Sequence, residues 1–268
     1  MFWKCFSPSF DDASDYLEDA DQEPFFQHAC THDLNNAQTE NTSSVKAPFM
    51  NEKSTAFFGL FEGHRNGYIA SQTASVSFPE YLRKELLAHQ SSLDLTLDLK
   101  KCFINAYAQV DDHLKTIAYD RGTSATAWLI RKSGNQMRLH MSNVGCSRAV
   151  LCRGSEAVVL TQHHSESTGE EQSRLAACKA YTKSSPRVRQ LLPSTRALGD
   201  HLLKDWVIST PHYTETDLTP DDSCIVCMTK NISDLISDEE VVELSQGEHI
   251  LQIHSPVYRI LMSSAAQE

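Results

Sequence analysis

The chain has 268 residues, 40% hydrophobic and 22% charged, which is enough apolar material for one large core or two small ones. Its formal net charge of −11 argues against nonspecific nucleic-acid binding, which depends on Lys and Arg neutralising phosphates. No stretch approaches the roughly 20 apolar residues that cross a bilayer. The opening MFWKCFSPSF has neither the apolar run nor the small-residue cleavage site of a secretory signal. The expectation is an intracellular protein, cytoplasmic or nuclear, with no nucleic acid and no membrane among its partners. Its eight cysteines, spread without a framework spacing, are then expected to be reduced.

Residues 1–54 are polar and lack periodicity, and residues 11–23 (DDASDYLEDADQE) carry seven acids and no base. That composition predicts a largely flexible acidic leader, followed by a domain over 55–268. From Thr55 the texture changes. Ala56 to Phe61 is a short apolar run ending at the turn-forming Glu62-Gly63-His64, a buried strand. Ile69 to Ala88 reads as helix, restarted at Pro79 because proline fits a first turn but not a helix interior. Leu99, Phe103, Ala106, Val110, Leu114 and Ile117 recur at three-to-four spacing and predict an amphipathic helix.

The pattern then switches to strands. Thr126–Ile130 and Met137–Val144 are two of them, and Ala149–Cys152 and Ala157–Leu160 flank Arg153-Gly154-Ser155-Glu156 as a hairpin. Residues 163–190 read as loop with a short helix, Cys224–Met228 as a buried strand, and 238–245 (DEEVVELS) as a helix opened by acids. Cys224 and Cys227 form a C-x-x-C, but three positions along a strand they face opposite ways and read as core thiols. Helices in a block and strands in runs predict an α+β domain with antiparallel sheet.

Several of these segments, in this order, resemble the type 2C (PPM-type) metal-dependent serine/threonine phosphatase family. Phe57 to His64 (FFGLFEGH) is similar to "FFGVFDGH", Gly122 to Ala125 (GTSA) to "G-[ST]-T-A", and Ser142 to Leu151 (SNVGCSRAVL) to "ANVGDSRAVL". Leu160 to His164 (LTQHH) is similar to "LTxDH", Ser194 to Asp200 (STRALGD) to "[VS]SRALGD", and Thr229 to Val242 to "SDGLWDVLSNEEVV". The match covers about residues 55–245. It implies a central antiparallel β-sandwich flanked by helices on both faces, a four-layer α-β-β-α arrangement.

The resemblance also implies a reaction: hydrolysis of phosphoserine and phosphothreonine by a water bridging two Mg²⁺ or Mn²⁺ ions, held by Asp side chains and a Gly carbonyl. Judged against that ligand set, the site is degenerate. The bridging Asp of "DGH" is Glu62, whose extra methylene moves the carboxylate by ~1.5 Å against tolerances of about 0.2 Å. Gly63 and His64, the latter assisting the leaving group in the family, are kept. The Asp of "GDSR" is Cys146, and that of "SDG" is Lys230, whose ammonium has no acceptor to offer a cation. Asp200 survives. The family's final Asp and last strand find no counterpart after Val242, and upstream no Arg precedes Arg65. An ion pair between Lys230 and Glu62 is expected to replace the metal.

The function expected from this reading is a pseudophosphatase that binds or scaffolds a protein partner, with no catalytic residue, metal or other cofactor at work. Two alternatives stand beside it: a weakly active Mg- or Mn-dependent protein phosphatase, and a non-functional truncated isoform.

Overall fold

The computed structural model describes residues 2–6, 28–31, 40–90, 98–178, 194–204 and 206–246. Two antiparallel sheets form its centre. The first runs β10-β6-β5-β4-β3, with β3 Asn41–Lys46, β4 Thr55–His64, β5 Gly122–Ser133, β6 Gln136–Val144 and β10 His212–Leu218. The second runs β2-β1-β11-β7-β8, with β1 Phe2–Phe6, β2 His28–Thr31, β7 Arg148–Arg153, β8 Glu156–Val159 and β11 Asp222–Met228. A short β9, Leu198–Gly199, pairs with the start of β5.

Strand periodicity explains the layering. Successive side chains of a strand alternate between faces. On β4, Phe57 and Phe61 point to the helices α1 (Tyr68–Gln90) and α2 (Leu99–Ile117), while Ala56, Phe58 and Leu60 point into the space between the sheets. There they meet Trp128 and Ile130 of β5, Leu139 and Met141 of β6, Leu151 of β7 and Ile225 of β11. The outer face of the second sheet packs Val150, Cys152, Val226 and Met228 on Val241 and Val242 of α5 (Asp238–Gln246) and on Ile232 of the short α4 (Lys230–Ser233). The four layers are helix, sheet, sheet, helix. Cys224 faces the outer helix and Cys227 the inter-sheet core, so the C-x-x-C cannot converge on one ion.

Three sequence expectations change. The helix from Tyr68 to Gln90 runs unbroken through the buried Pro79 rather than restarting there. Ala70, Ala74, Phe78, Leu82 and Leu86, spaced by four, all bury against α2 and β4. Each large apolar side chain contributes ~1.5–3 kcal/mol on burial, so together they outweigh the ~3 kcal/mol a mid-helix proline costs. Second, Ile117, counted in the apolar stripe of α2, is 43% exposed at the last turn, whereas Leu99, Phe103, Ala106, Val110 and Leu114 are buried. Asp98 caps that helix by accepting from the Lys101 N–H at 3.0 Å.

Third, the leader drawn over 1–54 contains strands β1, β2 and β3. Their stabilising partners are distant in sequence: β1 pairs with β11, and β3 pairs in register with β4 from Asn41↔Glu62 to Lys46↔Phe57. A polar edge strand such as NTSSVK carries no apolar alternation, so it leaves no local signal. The expected absence of a closing strand concerns residues after 246, which lie outside the described residues. No helix among the described residues is long and apolar enough to cross a membrane.

Replacing Phe78 with Ala is expected to destabilise the fold by about 3–5 kcal/mol, because it opens a cavity where α1, α2 and β4 meet. Val76→Ala, on the exposed face of the same helix, is expected to stay within about 0.5 kcal/mol. Urea unfolding of the two variants checks both.

Candidate functional site

Five chain segments meet at one end of the sandwich: the end of β4, the start of β5, the β6–β7 turn, the turn after β9, and the start of α4. Glu62 stands across from Asn41 on one side and Ser124 on the other. Its Oε2 accepts two hydrogen bonds, from Ser147 Oγ at 3.0 Å and from the Lys230 backbone N–H at 3.0 Å. The expected ion pair between Glu62 and Lys230 is therefore not what forms. The Lys230 ammonium turns instead to Asp234 Oδ2, 2.5 Å away and four residues on. The reason is local: the first amides of a helix have no partner inside it, so they seek an outside acceptor, while i,i+4 charges lie side by side.

Asp200 lies on the other flank, fully buried and in the left-handed region at φ +51°. Its Oδ2 is 2.6 Å from His64 Nε2, and its Oδ1 is 3.7 Å from Arg65 Nη1. A Cβ at Gly122 would sit 2.2 Å from that Oδ2, so only glycine leaves room for the carboxylate. Asp111 of α2 fixes the approach: it accepts from the Gly199 N–H at 2.8 Å and pairs with Lys204 at 2.7 Å. Burial pulls the Lys204 pKa down from its ordinary value, and Asp111 opposes that. Cys146 is buried, and burial pushes its thiol up to about 11, so it stays protonated and neutral.

The turn carrying Asp200 is anchored by a buried cluster around Glu171 of α3 (Gly169–Ala177). Glu171 accepts from Arg196 Nη2 at 2.6 Å, Arg174 Nη2 at 2.7 Å and Thr195 Oγ1 at 2.5 Å. Burial alone would raise its carboxyl, but the hydrogen bonds from Arg174, Arg196 and Thr195 prevail and hold it at about 2. Neighbouring His164 is pulled down to about 3, first by burial and then by the Arg196 charge.

A family model for protein phosphatase 2C matches residues 27–250. The chain belongs to the protein phosphatase 2C family. It is 26% identical over 220 residues to protein phosphatase 2C 56 of Arabidopsis thaliana, covering 80% of this chain and 50% of that protein. It is 27% identical over 203 residues to protein phosphatase 2C 77 of the same plant, covering 74% and 48%. The chain thus spans about half the length of these curated relatives. Among solved structures, a serine-threonine phosphatase 2C from Toxoplasma gondii superposes with a TM-score of 0.60 at 18% identity, covering 78% of each chain. A C. elegans sex determining protein superposes with a TM-score of 0.65 at 19% identity, covering 86% of this chain and 58% of that one. These likenesses show the 2C fold.

A 2C site would hold two hard divalent ions on oxygen donors converging on one space. Among the described residues, no three His, Cys, Asp or Glu side chains form such a group. The donors that are present also do not fit it. Glu62 Oε2 already receives two protein donors, Cys146 offers a neutral thiol, Asp200 is tied to His64 with Arg65 beside it, and Lys230 brings an N–H where a carboxylate is needed.

The sequence reading singled out Glu62, Gly63, His64, Cys146, Asp200 and Lys230 by resemblance to the family's site motifs, and in the structure these residues lie at one end of the sandwich. It missed Ser147, Arg65 and Glu40. Glu40 accepts from the Gly63 N–H (3.1 Å) and Ser71 Oγ (2.5 Å) on its carbonyl, and from the Gly67 N–H (3.1 Å) on its carboxylate. Ser147 and Arg65 lie within or beside quoted motifs and were readable. Glu40 was not, because it precedes a strand without an apolar pattern.

Both titrations favour the fold at higher pH. A neutral buried His164 refuses a proton that the unfolded chain takes up below about 6.5, so stability rises with pH from about 3 to about 6.5. Glu171, lowered from 4.5 to about 2, contributes stability that is full above about 4.5 and is lost as pH falls through about 2. Glu171→Gln is expected to remove on the order of 3 kcal/mol at pH 7 and to flatten the acid limb, as read by urea unfolding between pH 3 and 7.

Proposed function

We propose that this 2C domain is a pseudophosphatase, which acts by holding a protein partner rather than by hydrolysing phosphoester bonds. One observation carries the reading: Oε2 of Glu62, at the position of the bridging carboxylate, accepts from both Ser147 Oγ and the Lys230 amide. An ion at Oε2 must compete with these two donors, and each hydrogen bond it breaks leaves a donor unpaired at a cost of ~1–3 kcal/mol if buried. The Lys230 side chain offers the cation no acceptor. The contacts replace a metal bridge with a direct bridge between the two sheets. His64 then serves as a partner of Asp200.

Purified protein is expected to show no Mn²⁺-dependent turnover of an aryl phosphate. Turnover that depends on Mn²⁺ and disappears in Glu62→Ala would instead establish the weakly active phosphatase. Restoring the carboxylates with Glu62→Asp and Lys230→Asp together is expected not to recover activity, because Cys146 and the His64–Asp200 pair are unchanged. Substantial rescue in the same assay would overturn the pseudophosphatase reading.

A further inference from the structure

A groove of about 560 Å³ lies between the turn that follows β3 and the outer side of α1, and it shares no lining residue with the Glu62–Asp200 cluster. That volume falls in the range of pockets that take a small ligand or a peptide anchor, roughly 300–1,000 Å³. Its floor is apolar. Phe49 is buried and packs 5.5 Å from the ring of Phe57, Met50 leans on the same core, and Leu87 is 41% exposed along the rim.

The turn itself is unusual. Phe49 and Glu52 are bridged, and the two residues between them, Met50 and Asn51, sit at φ +59° and +61°. Asn tolerates that region, whereas a long side chain such as Met is rare in it. Strain of this kind tends to be kept where a side chain must be presented to a ligand.

The charge is equally local. Lys46 and Arg83 line the groove against a single acid, Glu80, in a chain whose net charge is −11. Glu80 accepts from Arg83 Nε at 3.2 Å. Lys46 is exposed and has no ion-pair partner among the described residues, so the groove keeps one uncompensated positive charge.

We propose that this groove docks an extended acidic segment of a protein partner. One apolar side chain enters against Phe49, Met50 and Leu87, and a neighbouring Asp or Glu pairs with Lys46 and Arg83. The inference deepens the partner-holding reading and rests on it. The chain's overall negative charge does not forbid such a partner, because exposed charges beyond about 8–10 Å are screened at physiological salt.

Fluorescence anisotropy on the whole chain tests the proposal with three labelled decapeptides, each a central Leu flanked by Glu, by Gln or by Lys. The Glu peptide is expected to bind best and to weaken as salt rises. Lys46→Glu with Arg83→Glu should cost it at least tenfold and move the preference to the Lys peptide. Leu87→Ser should weaken all three. All of these positions are on the surface, and a matched thermal melt confirms folding. Equal binding of the peptides, or no change in the double variant, would overturn the groove assignment. So would a dimer in sedimentation that dissociates on Leu87→Glu, which would make a second copy the occupant. Mn²⁺-dependent turnover measured on the same samples reports separately on the pseudophosphatase reading, so the two can fail independently.

Discussion

Strand β4 is buried on both faces, and that constraint organises the molecule. Phe57 and Phe61 need a helical layer on one side, and Phe58 and Leu60 need a second sheet on the other. No two-layer arrangement satisfies both, so three layers follow from one run of ten residues, and the outer apolar face of β7 and β11 adds the fourth. The end of the same strand delivers Glu62, Gly63 and His64 to the rim of the sandwich. The site is therefore positioned by packing that is indifferent to what chemistry the rim performs.

That separation explains how a phosphatase 2C fold can keep its form while its ligand positions change. The residues that pack, such as Phe57, Ala149 and Leu198, sit inside the layers, and the residues that would coordinate sit at strand ends. Substituting the latter leaves the core untouched. What the rim then requires is charge balance, and it is met internally. Glu62 finds Ser147 and the Lys230 amide, Asp200 finds His64 and Arg65, and Lys230 finds Asp234. Glu62 and Asp200 are met by segments distant in sequence, whereas Lys230 is met by its own helical turn.

Motif order made much of the fold legible, because the apolar periodicity of β4, α2, β5, β6 and β11 is strong and local. The helix α1 was placed correctly but divided at Pro79, since a local rule about proline could not weigh five buried side chains on the far side of the helix. β1, β2 and β3 escaped notice for the opposite reason. β1, FWKCF, is a short apolar run whose main partner, β11, lies more than 200 residues on, while β2 and β3 show none of the alternation that would announce a strand.

By itself, the sequence determined which residue types stand in the segments that resemble the family's motifs: a glutamate at 62, a cysteine at 146 and a lysine at 230. It also determined the alternation that builds the sandwich, because side-chain period follows from local backbone geometry. Only the tertiary structure decided whom those residues face. Glu62 and Lys230 do meet, as the sequence suggested, but through a backbone N–H, while the ammonium closes on its own helical turn. A sequence fixes charge and reach; the direction of an amide depends on how a helix begins after a strand, and that is settled by packing between segments 168 residues apart.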